Sequence, residues 1–476
     1  MLDHGTAATP LKPSEAATML WQLSAQELTT AFSAGQLDPL LVLEHTLRRI
    51  KAVQPALNAI VEYDIEGARE AAAQSARRWR QGQPRSGLDG VVVTIKDNIP
   101  VAGLHCAWGS RLYAGHVPTR DELAVARLRA AGAVILGKTN VPEFTLQGYT
   151  DNAVHGTTHN PWNPALTPGG SSGGAVAAVA SGMGPIALGT DGGGSIRRPA
   201  GFTGLAGLKP SWAMVPRRDG LPEILPGMEV VGPIARTVTD LTSIMRIISA
   251  APEQHWETTS QAPGPLRIAY WRSIGDAPVD PDIIERVDSV ALGLRALGHT
   301  VEVKLAPDCI AAFNRDAWPV LSSTGLASVL GPRLAHRHEL TPAIEAMLEQ
   351  GLRCRATDLF EAQGLVRSMC ATLTGLFSDY DLILSPTSAA LPWTAVDSHP
   401  ALISGKMVDG RGHAIFTAFA NAAGLPGLSL PAAPAPNGLP IGFQLVGPQG
   451  SDALLLALGL AFESRYPWHA RWPQLG

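Results

Sequence analysis

The sequence predicts an α/β protein in which helices cover both faces of a sheet. Three observations carry that expectation. Short β-branched segments alternate with helical ones along the chain. Hydrophobic residues make up 45% of the 476 positions and charged residues only 16%. No internal repeat or long low-complexity linker interrupts the pattern. A charged fraction below the usual quarter or so points to extensive buried structure rather than disorder. Length alone would allow two or three domains. Without a linker the chain reads as one large domain, with a peripheral subregion at about 310–370.

The elements follow in order. Ser24-Ala-Gln-Glu27 is a capping box and starts a short helix ending near Gly35. Asp38-Pro39 supplies an N-cap and an N1 proline for a second helix, with Leu41, Val42, Leu47 and Ile50 at helical spacing. The alanine-rich stretch 66–81 is a third helix. Gly90–Lys96 is short and β-branched, hence a strand; 122–131 is helical and Ala133–Gly137 the next strand. Small residues at Ala175–Ser181 form a helix, and the apolar run Pro185–Gly189 a buried strand. Residues 266–305 make a strand–helix–strand unit whose helix starts at Pro281. Asp381–Ser385 and Ile441–Val446 add strands, and 452–465 is a closing helix. The segment 251–265 is the best candidate for a surface connection.

Charge and cysteine usage exclude several classes. Net charge is −4 and no Lys/Arg-rich run is present, which leaves no electrostatic footprint for nucleic acid or an anionic membrane. The four cysteines, Cys106, Cys309, Cys354 and Cys370, match neither a disulfide framework nor a zinc spacing and fit a cytoplasmic protein. Residues 1–20 lack a basic start followed by an apolar core, so a secretory leader is not expected. Asn152–Thr190 carries no Asp, Glu, Lys or Arg, but prolines and glycines break it too often for a membrane span. It reads as buried interior. His336-Arg-His338-Glu339 has no metal-ligand spacing and reads as a solvated helical face. No metal or cofactor is expected, and no phosphate-binding glycine motif is present.

Three segments are abnormal for plain scaffold: Gly169–Gly174 around Ser171 and Ser172, Asp191–Arg197 around Ser195, and Lys96 at the end of an apolar strand. Glycines let the backbone approach a ligand and aim N–H groups at one point, as an oxyanion requires. Gly192, Gly193 and Gly194 offer such amides, and a tight turn with a capping serine is the alternative. Side chains alternate on a strand, so Lys96 and Asp97 face opposite ways. Lys96 then either points inward, where a buried amine loses its proton easily, or reaches solvent from the strand end. Gly169-x-Ser171-x-Gly173 imitates the nucleophile elbow of α/β-hydrolases, which needs a strand just before the serine. The proline-rich 160–168 cannot be a central strand, so Ser171 is not an elbow nucleophile.

Together these segments resemble the amidase signature family. The resemblance lies in Pro168–Gly174, Leu188–Arg197 and Gly204–Ser211, with Ser171 and Ser195 standing 24 positions apart. It extends to Val93–Asn98, Gly137–Glu143, Ser385–Thr387 and Gly438–Val446, and is poor over about 250–370. It implies one α/β/α domain around a large twisted mixed sheet. A helical scaffold would span about 14–82, the signature core 88–245, a variable substrate-side region 250–370 and a C-terminal core 375–470. By the resemblance Ser195 attacks the carbonyl, Ser171 in a cis Gly170–Ser171 peptide relays the proton, and Lys96 is the base. The amides of Gly192–Ser195 hold the oxyanion. Thr145 and Gln147 fall where relatives line the acyl pocket, and Ser172, Thr190, Asp191 and Arg197 where hydrogen bonds brace the loop. The implied reaction is cleavage of neutral, bulky or aryl amides through an acyl-enzyme, with carbamate and anilide cleavage open, by a monomer or homodimer.

Two other functions are weighed. One family branch is the glutaminase subunit of tRNA-dependent amidotransferases, which meets the glutamine carboxylate with an arginine; here the corresponding stretch Ile344–Gly351 has none. A non-catalytic binding or scaffold subunit would have lost Lys96, Ser171 or Ser195, and all three are present. Phe313, Trp318, Leu321 and Met347 are expected to shape the leaving-group side.

Overall fold

The computed structural model describes residues 19–475. The first 18 residues, including most of the stretch read for a leader and the start of the 14–82 scaffold, lie outside the described residues. The N-terminal strands are β1 (Ile60–Tyr63), β2 (Val92–Lys96), β3 (Val134–Thr139), β4 (Ile186–Asp191), β5 (Ala206–Lys209) and β6 (Val230–Ala235). Then follow β7 (Arg267–Tyr270), β8 (Thr300–Val303), β9 (Leu382–Pro386), β10 (Leu402–Ile403), β11 (Lys406–Met407), β12 (Gly427–Pro431) and β13 (Gly442–Val446). All but β10 and β11 join one 11-stranded sheet in the order β1-β3-β2-β4-β6-β5-β12-β13-β9-β7-β8. The sheet is mixed: β2 runs parallel to β3 and β4, and β7 to β8 and β9, while β5, β6, β12 and β13 pair antiparallel with their neighbours.

Alternation along the strands explains the layers. Val93 and Ile95 of β2 pack with helices Leu123–Ala130 and Val238–Ile248, whereas Val92 faces helices Pro39–Leu57 and Ile65–Arg80. Ile186 and Leu188 of β4 join the first cluster, and Ala187 meets helix Gly173–Ala180 on the opposite face. Both faces are therefore dry, which is why the strands lack polar residues at every second position. The helices of 308–379 form a further apolar cluster with Trp271, Ile383 and Phe419.

The expected elements lie where the sequence places them, within two residues at most ends. The Ser24 capping box closes in both directions, and Asp38 caps the helix that Pro39 begins. The strands of the large sheet without a sequence signal are β1, β5, β6 and β12. Gly207, Gly232, Pro233 and Gly427 sit inside the last three and read as turn punctuation, yet each is paired in the sheet. The segment 251–265 is largely exposed and connects helix Val238–Ile248 to β7, as the sequence suggests. It also holds the short helices Glu253–Glu257 and Thr258–Ser260, anchored by the fully buried Trp256. No described helix is long and apolar enough to cross a membrane.

The charge-free segment is interior over 167–190, and every residue of helix Gly173–Ala180 is buried. Its first part needs correction, because Ala153, Gly156 and Asn163–Ala165 are exposed. At Gly174 the backbone of Asn140 and Ala59 closes on the helix. An added methyl group would lie 2.6 Å from the Ala59 carbonyl oxygen. Gly174→Ala should therefore destabilise the chain by about 1–3 kcal/mol through overpacking. An unchanged denaturation midpoint would contradict this packing.

Candidate active site

The site lies at the carboxyl ends of the adjacent parallel strands β2 and β4, where an open α/β sheet commonly places a ligand crevice. Strand β2 delivers Lys96 and strand β4 delivers Thr190 and Asp191. Ser171 ends the loop that enters helix Gly173–Ala180, and Ser195 the loop that enters helix Arg197–Thr203. Ser171, Thr190, Gly192, Gly193 and Ser195 line one cleft together with Thr145 and Gln147, partly open to solvent.

Lys96 is fully buried, so the inward alternative holds and the solvent-reaching one does not. Its Nζ lies 2.8 Å from Ser171 Oγ, 2.8 Å from Thr190 Oγ1 and 3.1 Å from the Thr190 carbonyl oxygen. A neutral amine can donate two N–H groups to Thr190 and keep its lone pair for the Ser171 hydroxyl. Burial pushes Lys96 from its ordinary value down to about 7, against the opposing pull of the Asp191 and Glu229 carboxylates. Asn98 Nδ2 donates to Thr190 Oγ1 at 3.2 Å and so fixes the threonine that fixes the lysine. Asp97 faces away and lies 3.8 Å from Lys138.

The Gly170–Ser171 peptide is cis. No strand precedes Ser171, in keeping with its rejection as an elbow. Ser172 Oγ donates to the Thr190 carbonyl at 3.3 Å. Ser195 does not cap its helix: the N-cap residue is Ile196, and no side chain bonds there.

The loop after β4 is shaped by Asp191. Its carboxylate accepts from Gly194 N at 2.7 Å, Ile196 N at 3.0 Å and the Arg197 guanidinium at 3.1 Å. Burial alone would raise this carboxyl, but Arg197, Lys209 and Asn421 together hold it well below the usual carboxylate range. The expected amide set needs correction here, because Gly194 N–H is committed to Asp191. Among the described residues the N–H groups of Gly192, Gly193 and Ser195 have no protein acceptor. Arg197 also donates to Gln444 Oε1 at 2.9 Å, Asn421 Oδ1 at 2.6 Å and the Thr417 carbonyl at 3.1 Å. These three C-terminal residues tie the loop to the far half of the sheet. Of them only Gln444 carried a local signal, as an amide inside the apolar run Ile441–Val446.

The rest of the wall is mixed. Phe144, Leu146, Leu225 and Trp318 are its apolar part. Phe144 and Thr145 adopt left-handed backbone angles, with φ of 51° and 58°, and Trp108 Nε1 donates to Thr145 Oγ1 at 3.3 Å. Of the four residues expected from the variable region, Trp318 reaches the cleft. Phe313 packs behind it edge-on, while Leu321 and Met347 lie against the same apolar cluster without lining the cleft. Arg198, Arg411 and Glu229 line the cleft without having stood out in the sequence. His336 and His338 sit on an exposed turn of helix, and no cluster of three metal-ligating side chains occurs among the described residues.

A family model described as Amidase matches residues 41–456. The chain is 32% identical over 474 residues to an acylamidase from Rhodococcus erythropolis, covering 95% of this chain and 97% of that protein. It is 34% identical over 495 residues to a glutamyl-tRNA(Gln) amidotransferase subunit from Roseiflexus sp. (strain RS-1), covering 96% and 99%. A solved bacterial aryl acylamidase of the amidase signature family superposes with a TM-score of 0.87 at 29% identity, covering 94% of this chain and 97% of that one. With matches spanning nearly its whole length, the chain belongs to the amidase signature family of amide-hydrolysing enzymes.

Proposed function

We propose that this chain hydrolyses small-molecule amides through a Ser195 acyl-enzyme, with Ser171 as proton relay and Lys96 as base. The observation that carries the proposal is a dry lysine, lowered to about 7, 2.8 Å from a serine hydroxyl that shares a cleft with Ser195. Ser195 Oγ attacks the carbonyl carbon while its proton passes to Ser171, whose own proton goes to neutral Lys96. The unpartnered amides of Gly192, Gly193 and Ser195 receive the oxyanion. The lysine proton returns through Ser171 to the departing nitrogen, and water then releases the acid from Ser195. Phe144, Leu146, Leu225 and Trp318 suit a bulky alkyl or aryl group. The same steps accommodate a carbamate.

A second reading, deamidation of glutamine in a complex, is favoured by the likeness to the Roseiflexus amidotransferase protein over nearly the full chain. Assays of the purified protein on anilides, primary amides, carbamates and glutamine separate the two. Turnover of anilides without a partner supports the free-standing hydrolase. Activity confined to glutamine and dependent on a partner protein reverses the choice.

Ser195→Ala should abolish hydrolysis and the acyl-enzyme seen by intact-mass spectrometry, with an unaltered circular dichroism spectrum. Full activity in that variant would remove Ser195 from the mechanism.

The base must be neutral, and Lys96 becomes protonated as pH falls through about 7. The quantity kcat/KM should therefore rise with pH to a plateau above that value. Lys96→Ala should lose about 10²–10⁴-fold at the plateau. A profile flat over roughly two pH units either side of neutrality would count against a lysine base.

A further inference from the structure

The wall of the cleft is assembled from parts of the chain that lie far apart in sequence. Phe144, Thr145, Leu146 and Gln147 supply one stretch, and Trp318, the first residue of helix Trp318–Leu330, supplies another. Immediately before the first stretch stands Glu143, a buried carboxylate that does not line the cleft. One of its oxygens accepts from Ser110 Oγ at 2.8 Å. The other accepts from Thr341 N at 3.0 Å and from Thr341 Oγ1. Thr341 is the N-cap of helix Pro342–Arg353, which packs on helix Trp318–Leu330. A threonine at that position ordinarily turns its hydroxyl onto its own helix. This one caps no amide of its helix and serves Glu143 instead.

The stretch after Glu143 needs such support. Phe144 and Thr145 have left-handed backbone angles, which are costly for residues other than glycine and persist only where the surroundings impose them. Trp108 imposes part of this conformation. Its carbonyl accepts from Phe144 N at 2.9 Å, and its ring meets those of Tyr113 and Phe144 edge-on. Arg333 lies over the Tyr113 ring, 4.2 Å from its centroid, and donates to the Leu112 carbonyl at 3.1 Å. Thr341 and Arg333 both come from the region where the family resemblance is poor, whereas Glu143 lies in a segment where it is good.

We infer that Glu143 is a positioning residue, latched to Thr341, through which the variable helices fix the 144–147 wall relative to Trp318 and so select the amides that fit. This rests on the hydrolase reading and deepens it. The selecting contact lies outside the cleft, and a change at Thr341 reaches the substrate only by way of Glu143 and the wall.

Two variants of the full chain test it. Thr341→Val removes the hydroxyl at nearly constant size, and Thr341→Ser keeps it. With p-nitroacetanilide, Thr341→Val should raise KM at least about 10-fold and leave kcat within about 2-fold, as when a contact made equally in the ground and transition states is lost. The pH at which kcat/KM breaks should not move, because Lys96 lies outside the latch. Thr341→Ser should keep the KM of the unsubstituted chain. An unchanged KM in Thr341→Val, a loss confined to kcat, or equal impairment of both variants overturns the inference. Hydrogen–deuterium exchange separates it from the hydrolase reading. Amides of 144–149 should exchange at least about 10-fold faster in Thr341→Val than in Thr341→Ser, with those of β2 unchanged. That result in a chain that turns over no amide strikes the hydrolase reading alone. Equal exchange in the two variants overturns the latch.

Discussion

The site depends on the buried carboxylate of Asp191. It is fully enclosed and is met by Arg197, Asn421 and three backbone amides. A buried charge is tolerable only when its bonds are satisfied, and here the satisfying groups are the loop itself. By drawing in Gly194 N and Ile196 N, Asp191 bends the chain after β4. Gly192, Gly193 and Ser195 are left with amides that have no protein acceptor among the described residues, and the serine is placed just ahead of its helix. Arg197 carries the constraint to Gln444, Thr417 and Asn421, so the two halves of the sheet are locked around one ion pair.

The same carboxylate acts on Lys96. Removing the lysine from water favours its neutral form, while Asp191 and Glu229 favour the charged one. Desolvation wins, because Asp191 is already spent on Arg197 and Glu229 lies near Arg217. The result is an amine balanced near neutrality, where a proton is both accepted and given up readily. Lys209 is buried and lowered to about 7 as well, but it donates to the Pro210 carbonyl and does not line the cleft. Burial alone thus produces a neutral lysine. Only the hydroxyl of Ser171 beside Lys96 gives that state a use in the proposed mechanism.

How far the sequence reached follows from what is local. β-branched runs announced β2 and β3, an apolar run announced β4, and caps announced the first two helices, because each signal lies within a few neighbouring residues. β5, β6 and β12 escaped because glycine and proline inside them are tolerated by pairing partners far along the chain. The same division holds at the site. Lys96, Ser171, Thr190 and Ser195 stand in segments of unusual local composition. Thr417, Asn421, Arg198 and Arg411 gain meaning only from what folds against them. The mistake over Gly194 has the same origin: a glycine run shows that amides are accessible, not which of them a distant side chain has already taken.

Arg198 joins these levels. Its positive charge, with that of Arg217, helps keep Lys96 neutral, while Nη1 holds the Gly193 carbonyl and so the neighbouring Gly193–Gly194 peptide. The cation in this position therefore serves both the base and the loop. A neutral residue in its place would let Lys96 hold its proton more tightly and free the glycine loop at the same time. That gives a physical reason for an arginine to stay where burial disfavours it.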